Sequence, residues 1–406
     1  MREMKDSGIE WIGTLPKDWD IYPVKFFFNV DRGRVIAKTD LLDNGKYPVY
    51  SSQTENDGIL GYINTYDYFG DAITWTTDGA KAGTVFFRTG KYNCTNVCGI
   101  LRVKSENSSK ANMKYMTYAI GMVAEQNKRY DINGFKIMSN EMAAIRFAVP
   151  IIAEQKAIAD FLDIKCSEID ALTKDIEKQI EVLEDYKKSV ITEAVTKGLN
   201  PNVEMKDSGI QWIGKCPKNW TLKRLKYTCK TRNIKYIPTY GELAYFALEN
   251  IISWKSKFQK TDSIYDLSGS NICLKNDVVF GKLRPYLAKT YLVDFDRCCS
   301  AEFAIFYDFD GYQKYLLYLV TSKPFVETVD FSTYGTKMPR ANIDFINNLM
   351  IPLPSKVEQN EILSYLERKC GDIDFIIDEK TKQLEILADY KKSLIYEYVT
   401  GKKEVM

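Results

Sequence analysis

Histidine is absent from this 406-residue sequence. Without an imidazole the chain cannot use a Ser-His-Asp or Cys-His catalytic arrangement, a histidine-ligated metal or a histidine pH switch. Protein classes that depend on those groups are therefore excluded. At about 100–200 residues per domain, the length predicts two to four domains, each large enough to bury its own core.

Long apolar runs and paired cysteine motifs are also missing. No stretch reaches the roughly 18 apolar residues that a membrane-spanning helix needs. The N-terminal segment MREMKD has no apolar core of the kind that marks an export signal. The nine cysteines show no Cys-x-x-Cys spacing. We therefore expect a cytoplasmic protein with reduced thiols, without a disulfide framework or metal site.

The net charge of +2 conceals an alternation along the chain. Residues 20–150 contain 16 basic and 13 acidic side chains, and residues 221–353 contain 18 and 13. Residues 151–200 contain 7 basic and 11 acidic side chains, and residues 354–406 contain 9 and 11. The two basic blocks favour polyanion binding at two places, although ordinary scatter of charge explains the same counts.

The sequence repeats itself at an offset of about 200 residues. Residues 4–19 (MKDSGIEWIGTLPKDW) return as residues 205–220 (MKDSGIQWIGKCPKNW), with 12 of 16 positions identical. We call these two segments the openers. Residues 150–196 match residues 354–400 at 22 of 47 positions, and we call these segments the tails. Between opener and tail lie variable blocks that barely align, so the chain is a duplicated unit.

The linkers extend the repeat into a quasi-circular order. Residues 198–205 connect the first tail to the second opener, and the C-terminal residues 401–406 resemble that linker. Equivalent surfaces within one chain can imitate a symmetric dimer. We therefore expect an internal pseudo-twofold axis with the two termini close together.

Each tail is predicted to be one long helix. Apolar residues recur in steps of three and four from Ile158 and from Ile362, which is the seam of a coiled coil. Ser355 and Glu358 have the spacing of a capping box. Neither helix can leave such a seam exposed, so we expect an antiparallel pair. The predicted seam includes Cys166, Leu172, Tyr186, Cys370, Ile376 and Tyr390.

The variable blocks combine short strands with one helix each. Runs of β-branched and aromatic residues between turn residues predict strands. The first block has predicted strands at 47–50, 72–75, 84–87 and 99–103 and a helix at about 112–126. The second has strands at 244–248, 277–280, 290–293 and 303–306 and a helix near 312–328. A related Gly-x-Lys loop follows each helix, at 133–136 and 334–337.

These features resemble the specificity (S) subunits of type I restriction-modification systems. The similarity is carried by the opener pattern GIxWIGxxPKxW and by Pro-x-x-x-Glu-Gln, which begins at Pro150 and Pro354 ahead of the long helices. Residues 277–287 (DVVFGKLRPYL) and 335–340 (GTKMPR) are similar to the same family. The resemblance covers essentially the whole chain, in the order of domain, helix, domain, helix.

The resemblance implies an α+β fold with two mixed α/β target recognition domains and two long helices in an antiparallel coiled coil. The expected boundaries are 1–150 for the first domain, 151–200 for the central helix, 201–353 for the second domain and 354–406 for the C-terminal helix. Each domain is expected to read one half of a bipartite, asymmetric site on double-stranded DNA. The helices are expected to act as a spacer and to dock two methyltransferase subunits.

The family assigns the chemistry to partner subunits. Methyltransferase subunits bind S-adenosylmethionine and methylate adenine N6, and restriction subunits can join to cleave DNA with ATP and Mg. In agreement, this sequence lacks an Asn-Pro-Pro-Tyr/Phe motif and a phosphate-binding Gly-x4-Gly-Lys-Ser/Thr loop. We therefore expect a non-catalytic subunit that binds no cofactor itself. The alternatives are a coiled-coil scaffold whose heads bind proteins, and a self-contained DNA enzyme.

Candidate DNA contacts are polar and basic residues on loops, because such side chains contact base edges and phosphates. For any one of them, a solvated loop residue is the competing interpretation. Trp11, Trp19, Trp212 and Trp220 are shared by both halves, so we assign them to core packing or partner docking. The candidate contacts are Ser51, Ser52, Gln53, Asn56, Lys81, Arg129, Asn133 and Lys136 in the first block, and Lys282, Arg284, Tyr286, Lys289, Ser332, Tyr334, Thr336, Lys337 and Arg340 in the second.

Overall fold

A computed structural model describes residues 2–132, 134–237, 243–261, 267–335 and 337–405. The chain divides into two compact units. Unit 1 comprises Met1–Ile176 with Lys382–Met406, and unit 2 comprises Glu177–Thr381. Each unit therefore contains one opener, one variable block and parts of both long helices.

Unit 1 is built from short strands around helix α2. Its helices are α1 (Val24–Phe27), α2 (Met113–Asn127), α3 (Ser139–Ala144) and the first part of α4 (Ile152–Lys197). Its strands are β1 (Met4–Asp6), β2 (Thr14–Pro16), β3 (Asp20–Pro23), β4 (Phe28–Arg32), β5 (Tyr47–Tyr50), β6 (Ile59–Ile63), β7 (Tyr68–Phe69), β8 (Ala72–Thr76), β9 (Val85–Arg88), β10 (Lys91–Cys94), β11 (Cys98–Val103), β12 (Arg129–Asp131), β13 (Gly134–Lys136) and β14 (Arg146–Val149).

Unit 2 has the same kinds of elements. Its helices are α5 (Gln313–Thr321), α6 (Lys323–Phe331), α7 (Ile343–Asn348) and the first part of α8 (Lys356–Val399). Its strands are β15 (Met205–Asp207), β16 (Lys215–Pro217), β17 (Thr221–Arg224), β18 (Lys230–Thr231), β19 (Tyr245–Phe246), β20 (Ile251–Ile252), β21 (Lys257–Phe258), β22 (Asn271–Cys273), β23 (Val278–Gly281), β24 (Thr290–Leu292), β25 (Arg297–Cys299), β26 (Phe303–Tyr307) and β27 (Met350–Leu353).

The two units share their sheet topology although their variable blocks barely align. The main antiparallel sheet has the order β4-β11-β8-β9 in unit 1 and β18-β26-β23-β24 in unit 2. A second sheet contains one parallel pair in each unit, β5 with β10 and β19 with β25. The predicted strands are present and arranged as the repeat requires, although the one expected at 244–248 is only Tyr245–Phe246, because a 3-10 turn begins at Leu248.

Two local predictions differ from the structure. The single helix expected near 312–328 is two helices, because Ser322 is extended (φ −60°, ψ 140°) between α5 and α6. Pro324 has no N–H to donate to the carbonyl four residues earlier, so α5 cannot continue through it, whereas the first turn of α6 tolerates the missing donor. Gly134–Lys136, expected in a loop, form strand β13, which pairs with β12.

In each unit the two long helices run antiparallel. In unit 1, Lys391 Nζ donates to Asp170 Oδ1 at 2.6 Å, and the rings of Phe161 and Tyr398 lie 4.5 Å apart. In unit 2, Lys187 Nζ donates to Asp374 Oδ1 at 2.6 Å, and Lys380 donates to Gln179. Within each unit, residues later in one helix contact residues earlier in the other, which is the antiparallel arrangement that we predicted.

The seam prediction holds only in part. Ile158, Leu162, Cys166 and Cys370 are buried as expected, and all nine cysteines are free and buried. Ile169, Ile176 and Ile373 of the predicted seam are buried as well, but four other seam positions are not, because a helix pair covers only one strip of each helix. These exceptions are 42–54% exposed: Leu172, Tyr186, Ile376 and Tyr390.

One tryptophan of each opener, Trp19 or Trp220, hydrogen-bonds to the tail of the same unit. Trp19 Nε1 donates to Glu154 Oε2 at 3.0 Å, and Trp220 Nε1 donates to Glu358 Oε1 at 3.1 Å. Both rings are buried, which confirms core packing for these two residues. Ser355 and Glu358 also form the predicted capping box, with Glu358 N donating to Ser355 Oγ at 3.3 Å.

The C-terminal residues pack on the first opener inside unit 1. Lys402 Nζ donates to the carbonyl oxygen of Ile12 at 2.9 Å. Gly401 has φ +67°, and an added Cβ would meet the Pro16 ring at 2.4 Å. Gly198 ends the first tail with φ +74°, close to Trp220. Both tails therefore end on a left-handed glycine against an opener, as the quasi-circular order predicts.

Candidate nucleic-acid interface

Two loops of unit 2 are joined into one surface by backbone hydrogen bonds. The first loop, residues 282–289, follows β23, and the second, whose described residues are 332–335 and 337–341, follows α6. Arg284 N donates to the Pro339 carbonyl at 2.7 Å, and Ala341 N donates to the Lys282 carbonyl at 2.9 Å. We call these two segments the unit 2 loop pair. It brings together most of the candidates predicted in the second block.

Unit 1 contains a corresponding arrangement, formed by the loop at residues 77–84 and by strands β12 and β13 with Ile137, and we call it the unit 1 loop pair. Ile137 N donates to the Thr77 carbonyl at 2.9 Å, as Ala341 does to Lys282 in unit 2. Gly79 N donates to the Phe135 carbonyl at 3.0 Å. The predicted Lys81 loop and the Gly-x-Lys loop are therefore neighbours. This placement could not be read from the sequence, where the two loops are about 55 residues apart.

The unit 2 loop pair presents aromatic and basic side chains to solvent. Arg284, Tyr286 and Lys337 are exposed, and Tyr334 is 75% exposed. Arg284 has a left-handed backbone (φ 51°), which is uncommon for a residue other than glycine and often marks functional sites. Arg340 is also exposed but forms an ion pair with Glu302 at 2.5 Å.

Two unit 2 candidates have internal partners instead. Lys289 Nζ donates to the carbonyls of Leu248 at 2.8 Å and Ile251 at 3.0 Å, and burial lowers the pKa of this ammonium. Ser332 Oγ donates to the Val329 carbonyl at 2.7 Å, at the end of α6. These contacts are internal to the protein, so Lys289 and Ser332 are the weaker candidates for DNA contact.

The basic candidates of unit 1 form an ion-pair network. Arg129 Nε donates to Glu141 Oε1 at 2.7 Å, and Lys136 Nζ lies 2.9 Å from Asp131 Oδ2. The Lys136 hydrogen bond, together with the Ile132 backbone N–H, lowers the pKa of Asp131 to about 2. Lys81 is exposed at the tip of its loop.

The third candidate segment of unit 1 follows β5. Ser51 is buried, and Gln53 donates its amide to the Ile59 carbonyl, so both help to shape this segment. Ser52 is partly exposed and Asn56 is exposed, with a left-handed backbone at φ 49°. Asn133 and Thr336, which we also predicted as contacts, lie outside the described residues.

Sequence reasoning missed the buried polar residues beneath these loops. Arg88 is 2% exposed, and its guanidinium pairs with Asp57 on the segment that holds Asn56. The buried Asn271 lies beside Lys282, and the exposed Lys235 lines the same cavity. No motif marks such residues, because their importance comes from contacts between distant strands.

Metal-binding clusters and membrane-spanning helices are both absent from the residues that the structure describes. Those residues contain no group of three or more cysteine, aspartate or glutamate side chains placed to hold a metal ion. None of the helices in the described part of the chain is long and apolar enough to cross a membrane.

The two units have the same sheet order, and each contains one loop pair and segments of both long helices, so this is a duplicated protein of two α+β units. The sequence model for the type I restriction modification DNA specificity domain matches residues 16–182 and again residues 217–385. The chain therefore belongs to the family of type I restriction-modification specificity subunits, as the sequence resemblance predicts.

Individual relatives agree with this assignment. A Mycoplasma pneumoniae protein named as the N-terminus of a type I specificity subunit is 41% identical over 143 residues, 35% of this chain and 75% of that protein. The specificity subunit of the MjaVIII type I restriction enzyme from Methanocaldococcus jannaschii is 26% identical, over 96% of this chain and 94% of its own. Other Mycoplasma pneumoniae specificity subunits match over only 38–57% of their length.

A solved structure shares the fold over nearly the whole chain. It comes from work on complex assembly and conformational transition of the type I restriction-modification system. The TM-score is 0.68 with 14% sequence identity, over 96% of this chain and 99% of that chain. The expected α+β fold with an internal repeat is thus confirmed.

Proposed function

We propose that the chain is a non-catalytic subunit that binds a bipartite, asymmetric DNA target, with one half-site read by each unit. It would position adenine-N6 methyltransferase subunits, and restriction subunits where they are present. S-adenosylmethionine, ATP and Mg would be bound by those partners. Double-stranded DNA is the ligand of the chain itself.

One observation carries this proposal: the two loop pairs have equivalent backbone hydrogen bonds but different side chains. Unit 1 presents the exposed Lys81 beside the ion-paired Lys136, whereas unit 2 presents Arg284, Tyr334 and Lys337. Base edges are read by side chains, while backbone architecture only positions them. The same backbone arrangement with different side chains is what reading two different half-sites requires.

Exposed apolar residues on the tails favour docking of two identical methyltransferase subunits. Leu172 and Tyr390 are exposed in unit 1, and their repeat equivalents Ile376 and Tyr186 are exposed in unit 2. Exposed apolar groups on a helix favour docking of another protein. Because the same positions recur in each half, we expect the same methyltransferase subunit to bind each half.

The experiment is reconstitution with the partner methyltransferase and sequencing of the methylated DNA. We expect one bipartite methylated-adenine motif with the complex and neither methylation nor cleavage with the purified chain alone. Methyl transfer by the chain alone would contradict the proposal. A complex that methylates without any sequence motif would favour the alternative, a scaffold whose heads bind proteins.

A further inference from the structure

Unit 2 contains a cavity at the edge of its main sheet. Strand β18 pairs with β26 over only two residues, and the chain then leaves the sheet. The cavity, about 270 Å³, lies beside this gap. One water occupies about 30 Å³ of liquid, so a much larger group fits. The lining includes Lys235, Asn271, Lys282, Phe303, Ile305 and Ile343.

The cavity contains a buried amide with an unused oxygen. Asn271 is 4% exposed, and its Oδ1 has no hydrogen-bond partner among the described residues. Leaving a buried polar atom unpaired costs about 1–3 kcal/mol, so such atoms in native proteins need an explanation. An amide can turn to present either its oxygen or its NH₂ group, and the two are distinguished only by their partners. Asn271 can therefore offer donors to a ligand.

The cavity is also positively charged. No hydrogen bond or ion pair engages the Lys282 ammonium within the described part of the chain, and Lys235 Nζ donates only to the Gly269 carbonyl, at 2.9 Å. Burial lowers the pKa of Lys282; Glu302 opposes this, while Arg340 and Lys235 add to it. Burial, Arg340 and Lys235 therefore disfavour the protonated form of Lys282, and a bound anion would stabilise that form.

The neighbouring acidic groups already have partners. Asp277 binds Arg232 through both carboxylate oxygens, at 2.7 and 3.1 Å. Glu302 binds Arg340 through one oxygen, and the other oxygen is buried without a partner. The two lysines of the cavity are therefore not neutralised by a direct carboxylate contact.

We propose that this cavity binds one backbone phosphate of the DNA, held by Lys282 and Lys235 with the Asn271 amide. The inference rests on the proposed DNA-binding function and deepens it. It makes Lys282 a sequence-independent anchor at the start of the unit 2 loop pair, whose exposed side chains read bases. Phosphate contacts fix the register of a protein on DNA without reading its sequence.

The test uses the assembled methyltransferase complex with cognate and non-cognate duplexes over a range of salt concentrations. Lys282→Gln should weaken binding to both duplexes by the same factor. It should also reduce the slope of log K against log[salt] by about 0.9, the value for one phosphate on B-DNA. The matched control is Lys215→Gln, which removes an exposed lysine from β16 of the same unit and should change neither quantity.

A second variant keeps the test informative if Lys282→Gln perturbs folding. Asn271→Asp places a carboxylate in the cavity while both lysines remain, so it should weaken both duplexes further. Thermal unfolding of each variant identifies a folding defect. A defect confined to one base pair of the second half-site would show base readout and overturn the inference, as would an unchanged salt slope.

Lysine acylation followed by mass spectrometry distinguishes the source of the phosphate. DNA should protect Lys282 from acylation, whereas inorganic phosphate at matched ionic strength should protect it far less. Protection by inorganic phosphate but not by DNA would overturn the assignment to the DNA backbone. If the wild-type complex fails to prefer cognate DNA, the proposed function fails, which is a separate outcome from an unchanged slope in the variants.

Discussion

At the scale of single residues, Arg88 explains how unit 1 fixes its first candidate segment. Its guanidinium lies 3.6 Å from the Tyr50 ring centre and 4.4 Å from that of Phe86. It donates to Thr74 Oγ1 at 3.0 Å and to Asp57 Oδ2 at 2.7 Å. Asp57 is exposed and has a left-handed backbone (φ 53°), so the ion pair stabilises an unfavourable local conformation.

Asp57→Asn tests this arrangement. It removes the charged partner of a buried guanidinium, which costs about 3–5 kcal/mol for a fully buried pair. Because Asp57 is 66% exposed, we expect about 1–2 kcal/mol after solvent screening. Discrimination at the first half-site should fall while the second half-site is read normally. Denaturant unfolding and sequencing of methylated DNA measure the two effects.

Asp67→Asn is the matched control. It breaks the ion pair with Arg34, in which both side chains are substantially exposed, and such pairs contribute about 0–1 kcal/mol. Its half-site preference should match that of the wild type. If Asp57→Asn behaves like this control, Arg88 does not hold the segment in its reading position.

Arg340→Ala tests base readout in unit 2. An arginine that contacts a guanine edge through two hydrogen bonds contributes about 1–3 kcal/mol of discrimination. We expect the variant complex to lose preference at the second half-site only. Competition binding with single-base variants of the site measures this loss. A uniform loss on all sequences would instead identify Arg340 as a phosphate contact, and unchanged affinity at several salt concentrations would exclude it from the interface.

At the scale of elements, the sequence predicted what local pattern determines. The strands at 47–50 and 72–76 follow from β-branched and aromatic residues between turns, and helix α4 from its unbroken heptad steps. Pro324 indicates the break at Ser322, but the apolar periodicity continues through this position and therefore favours a single helix. The exposed Tyr186 and Tyr390 show a further limit, since periodicity cannot tell which partner covers an apolar position.

The candidate site was predictable as a set of loops but not as a surface. Identical spacing in the two halves placed Lys136 and Lys337 on related loops. The pairing of each loop with a second one depends on backbone hydrogen bonds between segments far apart in sequence, such as the bond from Ala341 N to the Lys282 carbonyl. The buried Asn271 and Arg88 gave no local signal, because burial of a polar residue is decided by the complete fold.

The junction between opener and tail predicts a pH dependence. Burial alone would raise the pKa of Glu358, but hydrogen bonds from Trp220, Ser355 and Asn219 lower it below its usual 4.5. This carboxylate therefore contributes stability that is present above pH 4.5 and is lost as the pH falls through the lower folded-state pKa.

Glu358→Gln removes this titration while keeping an oxygen that can accept from Trp220. We expect the variant to be less stable than the wild type near pH 7, and the difference to shrink as the pH falls below 4.5. Thermal unfolding from pH 7 to pH 3 measures it. Glu361→Gln, one turn along α8 and exposed, is the control. A difference that stays constant across this range would contradict the role of the Glu358 charge.

At the scale of the whole molecule, duplication makes the two long helices shared components. Each unit contains a segment of α4 and a segment of α8, and the unit boundaries fall at Ile176 and Thr381. Ile176 and Lys380 are equivalent positions in the repeat. Lengthening both helices there adds the same number of residues to each without touching a loop pair. The spacing between the two half-sites that we propose is therefore open to direct manipulation.

We expect that inserting seven residues at each of these positions changes the spacer but not the half-sites. Seven residues preserve the heptad phase and lengthen a helix by about 10 Å at about 1.5 Å per residue. That length corresponds to roughly three base pairs at about 3.4 Å each. It also rotates one reading unit by about 100° around the duplex, at about 10.5 base pairs per turn.

The inserted complex should therefore lose its native bipartite site, since both distance and rotation are wrong for it. Any activity it regains should fall on a motif with unchanged half-sites and a longer spacer. Sequencing of DNA methylated by the variant complex decides between these outcomes and a third, normal activity with the original spacer. That third result would show that the helices only dock the methyltransferase, and that the distance between half-sites is set elsewhere in the assembly.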